Sequence, residues 1–169
     1  MMNEPEFGEL IELYTNTAVI QAQRVPVMKQ KRRWELINIT VAPLIENSSE
    51  GTRYPDFSAK IAMQLDESAM AAVCAGLMGL KGNIRVDGTR APTSTEAKVL
   101  YLNNNPDSTT NINMAADNGR AKRTQSITFS YQDRYPLLRL IASQLAKNSL
   151  GYEQTIADTL NLIKASYLR

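Results

Sequence analysis

The sequence predicts an α+β protein in which a ββββα unit occurs twice and a C-terminal amphipathic helix follows. Two observations lead to that reading. The stretch Phe57 to Leu80, FSAKIAMQLDESAMAAVCAGLMGL, reads as a strand running into a helix. Ile61, Met63 and Leu65 alternate with Lys60, Ala62 and Gln64 at the period of a half-buried strand. Asp66 then stands at an N-cap position with Glu67 in the first turn, and Met70, Val73, Cys74 and Leu77 recur at helical spacing. The same unit returns as SITFSYQDRYPLLRLIASQLAK, with Ile127, Phe129 and Tyr131 alternating, Asp133 at the cap, and Leu137, Leu140, Ile141 and Leu145 on the stripe. Met70, Val73 and Cys74 align with Leu137, Leu140 and Ile141 at one offset. The strand residues align at an offset one residue shorter, so a bulge or an extra turn residue separates the copies.

The remaining elements follow in order. Residues 1–8 are expected to be a poorly ordered lead. Glu9 to Lys29 holds two apolar segments around a Thr15–Asn16–Thr17 turn, a hairpin signal. Pro26 demotes the second segment to an edge or a bulge there. Glu35 to Leu44 is a strand with Ile37, Ile39 and Val41 on one face, and residues 46–56 form a polar loop. The second half opens at Ile84–Val86, continues through Lys98–Leu102 and Asn111–Ala116, and turns at Asp117–Asn118–Gly119. Gly151 to Arg169 places Tyr152, Ile156, Leu160, Ile163 and Tyr167 on one side of a final helix after a break at Ser149–Gly151. The expected organisation is a single domain, 9–169, made of repeats at about 9–80 and 81–148 plus the helix 151–169.

Composition narrows the function. The chain has 169 residues with 43% hydrophobic content, enough for one sizeable core. Its net charge of +2 makes no case for a polyanion, so charge distribution has to. No apolar run reaches membrane-span length, and the acidic start MMNEPEFGEL is unlike a signal peptide. The lone Cys74, on a helical apolar stripe, forms no internal disulfide and fits a reducing, cytoplasmic setting. The sequons at Asn38 and Asn47 then read as chance. With no histidine in the chain, a Ser–His–Asp triad, a Cys–His pair and a Cys/His zinc site are ruled out within it. Neither phosphate-loop pattern occurs. The carboxylates Asp66, Glu67, Asp107, Asp117 and Asp133 fall at caps and turns. No catalytic residue, metal ligand or cofactor is expected.

Basic residues on strands and their connections carry the functional signal. Lys29, Lys31, Arg32 and Arg33 lead into Trp34 as KQKRRW, and Arg120, Lys122 and Arg123 lead into the last strand. Lys60, Arg85 and Lys98 stand among strand residues with apolar neighbours. The opposite faces are rich in Ser, Thr, Asn and Gln. Cations for phosphates, amide and hydroxyl groups, and an aromatic nearby are what single-strand nucleic-acid binding asks for. Charged residues also guard sheet edges against aggregation, and Trp34 is either a stacking face or a core residue. The small residues Ala69, Ala71, Ala72, Ala75, Gly76 and Gly79 let a partner approach the first helix closely, from within the domain or from another subunit.

Two tandem ββββα units closed by a helical hairpin resemble the Whirly single-stranded DNA-binding proteins and the related positive-cofactor-four coactivators. Whirly proteins carry a lysine-rich KGK-type segment on an early strand, and KQKRRW holds the comparable place with different letters. The resemblance implies two packed antiparallel sheets with helices at their ends. It further implies homo-oligomers, dimers or tetramers, assembled through the helices, and single strands lying along sheet surfaces. Mitochondrial guide-RNA-binding proteins are similar in topology. The expected function is non-enzymatic, largely sequence-independent binding of single-stranded DNA, with RNA as a possible ligand. The alternative from another class is an oligomeric assembly protein whose sheets meet protein partners.

Overall fold

Apolar–polar alternation becomes antiparallel ladders in both halves of the chain. The computed structural model describes residues 8–29, 32–47, 49–88, 95–149 and 154–167, and only the strand backbone of 27–29 and 32–35. The first half contains β1 (Leu10–Tyr14), β2 (Ala18–Lys29), β3 (Arg32–Glu46), β4 (Arg53–Pro55), β5 (Ile61–Leu65) and helix α1 (Glu67–Leu77). The second contains β6 (Asn83–Asp87), β7 (Ala97–Asn104), β8 (Thr109–Asp117), β9 (Lys122–Ser130) and helix α2 (Tyr135–Lys147), and α3 (Ile156–Tyr167) closes the fold. One sheet runs β1-β2-β3, with both β4 and β5 pairing on β3; the other runs β6-β7-β8-β9. Among the described residues no helix is long and apolar enough to cross a membrane.

Local chemistry explains most boundaries. The Thr15 hydroxyl oxygen accepts from the Ala18 and Thr17 amides and turns the first hairpin. The β1–β2 pairing ends at Arg24, whose amide donates to the Glu9 carbonyl, and Pro26 lies beyond it where only β3 is paired. A residue without an N–H is tolerated at such an edge. Asp66 caps α1, its carboxylate accepting from the Ala69 amide at 2.8 Å. At the other end Gly79, at φ 76°, lets its own amide reach the Gly76 carbonyl and that of Leu80 reach Ala75. This is a Schellman closure.

Three expectations are corrected. Asp133 does not cap α2. A 3-10 turn, Tyr131–Arg134, intervenes, and the Asp133 carboxylate accepts from the Ser130 hydroxyl at 2.9 Å. Pro136 favours the first turn of a helix, where its missing N–H costs nothing, so α2 opens at Tyr135. That turn accounts for the one-residue offset between the repeats. Within the loop 46–56, β4 pairs with Leu44–Glu46, and the Arg53 guanidinium donates to the Asn16 carbonyl. The last helix begins at Ile156, not at 151. The Thr155 hydroxyl accepts from the Asp158 amide at 3.0 Å, and the Asp158 carboxylate accepts from the Thr155 amide at 3.1 Å. This reciprocal cap fixes the start. Ile163 is buried and Ile156 is exposed; Tyr152 lies outside the described residues.

The helices change partners between repeats. α1 packs on β6 and β7 of the second sheet, while α2 packs on β1, β2 and β3 of the first. Gly76 makes the first contact possible, since a Cβ there would stand 2.8 Å from a Leu102 methyl and 3.0 Å from Ile84. Beside it the Asn104 amide donates to the Gly76 and Lys81 carbonyls at 2.8 and 2.9 Å. The second contact is polar. Arg24, 6% exposed, donates to Gln144 Oε1 at 2.5 Å and to the Ser143 hydroxyl at 2.6 Å. The core is thus shared: Ile37, Ile39, Met63, Met70, Leu100, Ile112, Ile127 and Leu140 form one cluster.

Candidate nucleic-acid interface

Polar side chains of β7 and β9 form a seam with the backbone of the segment that leads into β5. Lys98 on β7 donates its Nζ to the Ala62 carbonyl at 2.6 Å. On β9, Arg123 reaches the Lys60 carbonyl at 3.4 Å and pairs with Glu96 at 3.2 Å. Gln125 donates to the Ala59 carbonyl at 3.0 Å. These bonds strap β7 and β9 to the segment 59–62. The Arg123 bond brings the Lys60 backbone to the start of β9, where Arg120 lies in the preceding turn and Lys122 alternates to the opposite face of the strand. Lys60, Arg120 and Lys122 are exposed and, among the described residues, carry no ion pair. Phe57, 42% exposed, stands three residues before Lys60. Lys98 has a different position from the others: its ammonium is committed to the strap and it is half-buried.

The second sheet turns an open face away from the core. Register places Asn83, Asn103, Asn111 and Thr128 side by side in one cross-strand row. Arg85, Tyr101, Asn113 and Ser126 form the next. The alternate residues Val86, Leu100, Leu102, Ile112, Met114 and Ile127 are buried on the other face. Arg85 pairs with Asp87 at 3.4 Å and lies 5.9 Å from the Tyr101 ring centroid, the outer limit of a cation–π contact. Asn111 is pinned. Its amide donates to Ser126 Oγ at 2.8 Å, Thr128 Oγ1 at 2.9 Å and the Ile127 carbonyl at 3.3 Å. Since a carbonyl can only accept, the Ile127 contact fixes the nitrogen toward β9. The first sheet carries a comparable half-buried row, Gln23, Asn38 and Gln64.

The basic run lies where the β2–β3 ladder ends, with Lys29 opposite Arg32, Met28 opposite Arg33 and Val27 opposite Trp34. Lys31 is outside the described residues, and for Lys29, Arg32, Arg33 and Trp34 only strand position is described. Cys74 is buried, and burial pushes its thiol up to about 12, so it is inert at neutral pH. Two exposed aromatic residues were missed from sequence. Tyr101 was findable, since KVLYL puts it out of phase with Leu100 and Leu102. The Phe57 position depended on the 3-10 turn Phe57–Ala59.

The architecture is that of Whirly-like α+β proteins, two antiparallel sheets with helices that include a C-terminal one. WHY3 from Arabidopsis thaliana superposes with a TM-score of 0.65 at 16% identity, covering 98% of this chain and 100% of that one. The plant transcriptional regulator PBF-2 gives 0.65 at 17%, covering 99% and 100%. A guide-RNA-binding protein complex bound to a guide RNA gives 0.54 at 11%, covering 88% and 94%. No protein-family model matches the sequence, and no curated protein is significantly similar to it.

Proposed function

We propose that the protein binds single-stranded nucleic acid, DNA in the first instance, as one non-enzymatic domain spanning both repeats. The observation that carries this is the contact of Arg123 with the Lys60 carbonyl, which joins exposed Lys60 to the basic start of β9 from a segment far away in sequence. Exposed cations without ion pairs suit phosphates, and a phosphate contact is blind to sequence. The solved guide-RNA complex of the same fold supports the reading. The basic segment Lys29, Lys31, Arg32 and Arg33 is proposed as a second phosphate track, with Arg85 contributing on the open face.

Fluorescence anisotropy with labelled oligo-dT, at two salt concentrations and with duplex competitor, tests it. The triple substitution Lys60→Gln, Arg120→Gln, Lys122→Gln should weaken binding and lower the salt slope by about 0.7 for each phosphate no longer neutralised. An unchanged slope, or no binding by the parent at low salt, overturns the proposal. Assembly into a homo-oligomer through the helices is proposed on a separate observation. A groove of about 330 Å³ between α1 and α3 has a mixed lining that includes Ala71, Leu145 and Tyr167 beside Glu67 and Gln154, and Leu162 on its wall is 58% exposed. Light scattering showing a monomer would refute it.

A further inference from the structure

We propose that Asn118 is a site of spontaneous deamidation that the fold itself promotes, and that its conversion puts a negative charge at the basic start of β9, weakening the hold on a single strand. The binding consequence rests on the proposed single-strand binding; the site stands without it. Asn118 is the one asparagine of the chain that a glycine follows, and Asp117 to Ala121 are exposed at the tip of the β8–β9 hairpin. Gly119 lies at φ 85°, and a Cβ there would meet nothing within 4 Å, so its nitrogen is open to approach. The hydrogen bonds of the turn supply what ring closure between that nitrogen and Asn118 Cγ needs. The Gly119 N–H donates to Asp117 Oδ1 at 2.8 Å, which puts a carboxylate in place as general base. Asn118 Oδ1 accepts from the Arg120 amide at 2.9 Å and the Ala121 amide at 2.8 Å. Paired donors on a carbonyl oxygen stabilise the negative charge that gathers there when its carbon is attacked. As the Gly119 nitrogen bonds to Asn118 Cγ, its proton passes to Asp117. The Cγ–Nδ2 bond then breaks, and ammonia leaves with that proton from a succinimide. Water opens the ring at either carbonyl, to aspartate or to isoaspartate. Either product exchanges a neutral amide for a carboxylate in the turn that holds Arg120 and leads into Lys122 and Arg123.

The test follows the full-length protein in warm, neutral buffer by peptide mapping with electron-transfer fragmentation, which separates asparagine, aspartate and isoaspartate at each position. The folded protein should convert Asn118 about fivefold faster, or more, than the same chain unfolded in urea at matched pH. Asp117→Asn keeps an oxygen for the Gly119 N–H but removes the base, and should slow the folded rate by about tenfold or more. Asn118→Asp carries the product's charge on an unaltered backbone. It should bind labelled oligo-dT about threefold more weakly than the parent at low salt, with the gap closing as salt screens the charge. A urea titration of each variant confirms folding. A folded rate equal to or below the unfolded one, or an unchanged rate in Asp117→Asn, overturns the site. An Asn118→Asp protein that matches the parent's affinity at low salt refutes the binding consequence. If the parent binds no oligo-dT, single-strand binding itself fails, and the mass spectra still decide the site.

Discussion

Arg24 offers the sharpest stability test, because a buried guanidinium joins the first sheet to the helix of the second repeat. Its side chain holds Gln144 Oε1 and the Ser143 hydroxyl and stands 3.6 Å from Glu9. Arg24→Met keeps most of the aliphatic volume and removes the donors. Gln144 is 1% exposed, so its oxygen is stripped of its partner without gaining water, at about 1–3 kcal/mol. Ser143 gives up a further bond worth about 1 kcal/mol, although it still donates to the Leu140 carbonyl. The Glu9 pair adds little, since that carboxylate is 40% exposed. The expected destabilisation is about 2–4 kcal/mol, a drop in melting temperature of about 5–15 °C for a chain of this size. Adding Gln144→Leu should remove the about 1–3 kcal/mol due to the stripped oxygen, because that oxygen goes too. A deficit of about 2 kcal/mol should remain, since the Ser143 bond stays lost and the Gln144 amide that donates to Asn148 Oδ1 at 2.9 Å is removed. Urea unfolding at one protein concentration measures both single variants and the double variant. A stable Arg24→Met, or a double variant showing the plain sum of the two single effects, would refute the clasp.

Three further outcomes are expected. Gly76→Ala gains about 1 kcal/mol of helix propensity but drives a methyl into Leu102 and Ile84, so thermal melting should show net destabilisation of about 1–2 kcal/mol, smaller when paired with Leu102→Ala; a higher melting temperature for the single variant contradicts the close approach. Ser108 sits at φ 63°, so Ser108→Val should cost about 1–2 kcal/mol by urea unfolding and Ser108→Gly should not. The Glu9 carboxyl is held below its usual 4.5 by its hydrogen bond from Arg139, aided by Arg24. A depressed carboxylate contributes stability above its unfolded value and loses it as pH falls through the folded one. Glu9→Gln should therefore flatten the decline in stability below 4.5, and an acid limb identical to the parent's would sink the assignment.

Periodicity and capping chemistry are local, and they were legible. Ile61–Leu65 alternates because one sheet face is buried, Asp66 caps because the first helical amides lack partners, and Thr15 turns the hairpin through its own hydroxyl. The repeat and the α+β class follow from such signals, and so do the cations as candidates. Where those cations meet did not follow. Lys60 and Arg123 touch only because Lys98, Arg123 and Gln125 find unpaired carbonyls across the seam, an arrangement no spacing encodes. Sequence likewise ranked Lys98 with Lys60, whereas packing gave its ammonium a carbonyl partner and left Lys60 in solvent. The exchange of helices between sheets was hidden for the same reason. An apolar stripe states that a helix must be covered, and only the shapes at Gly76 and Arg24 decide which sheet covers it.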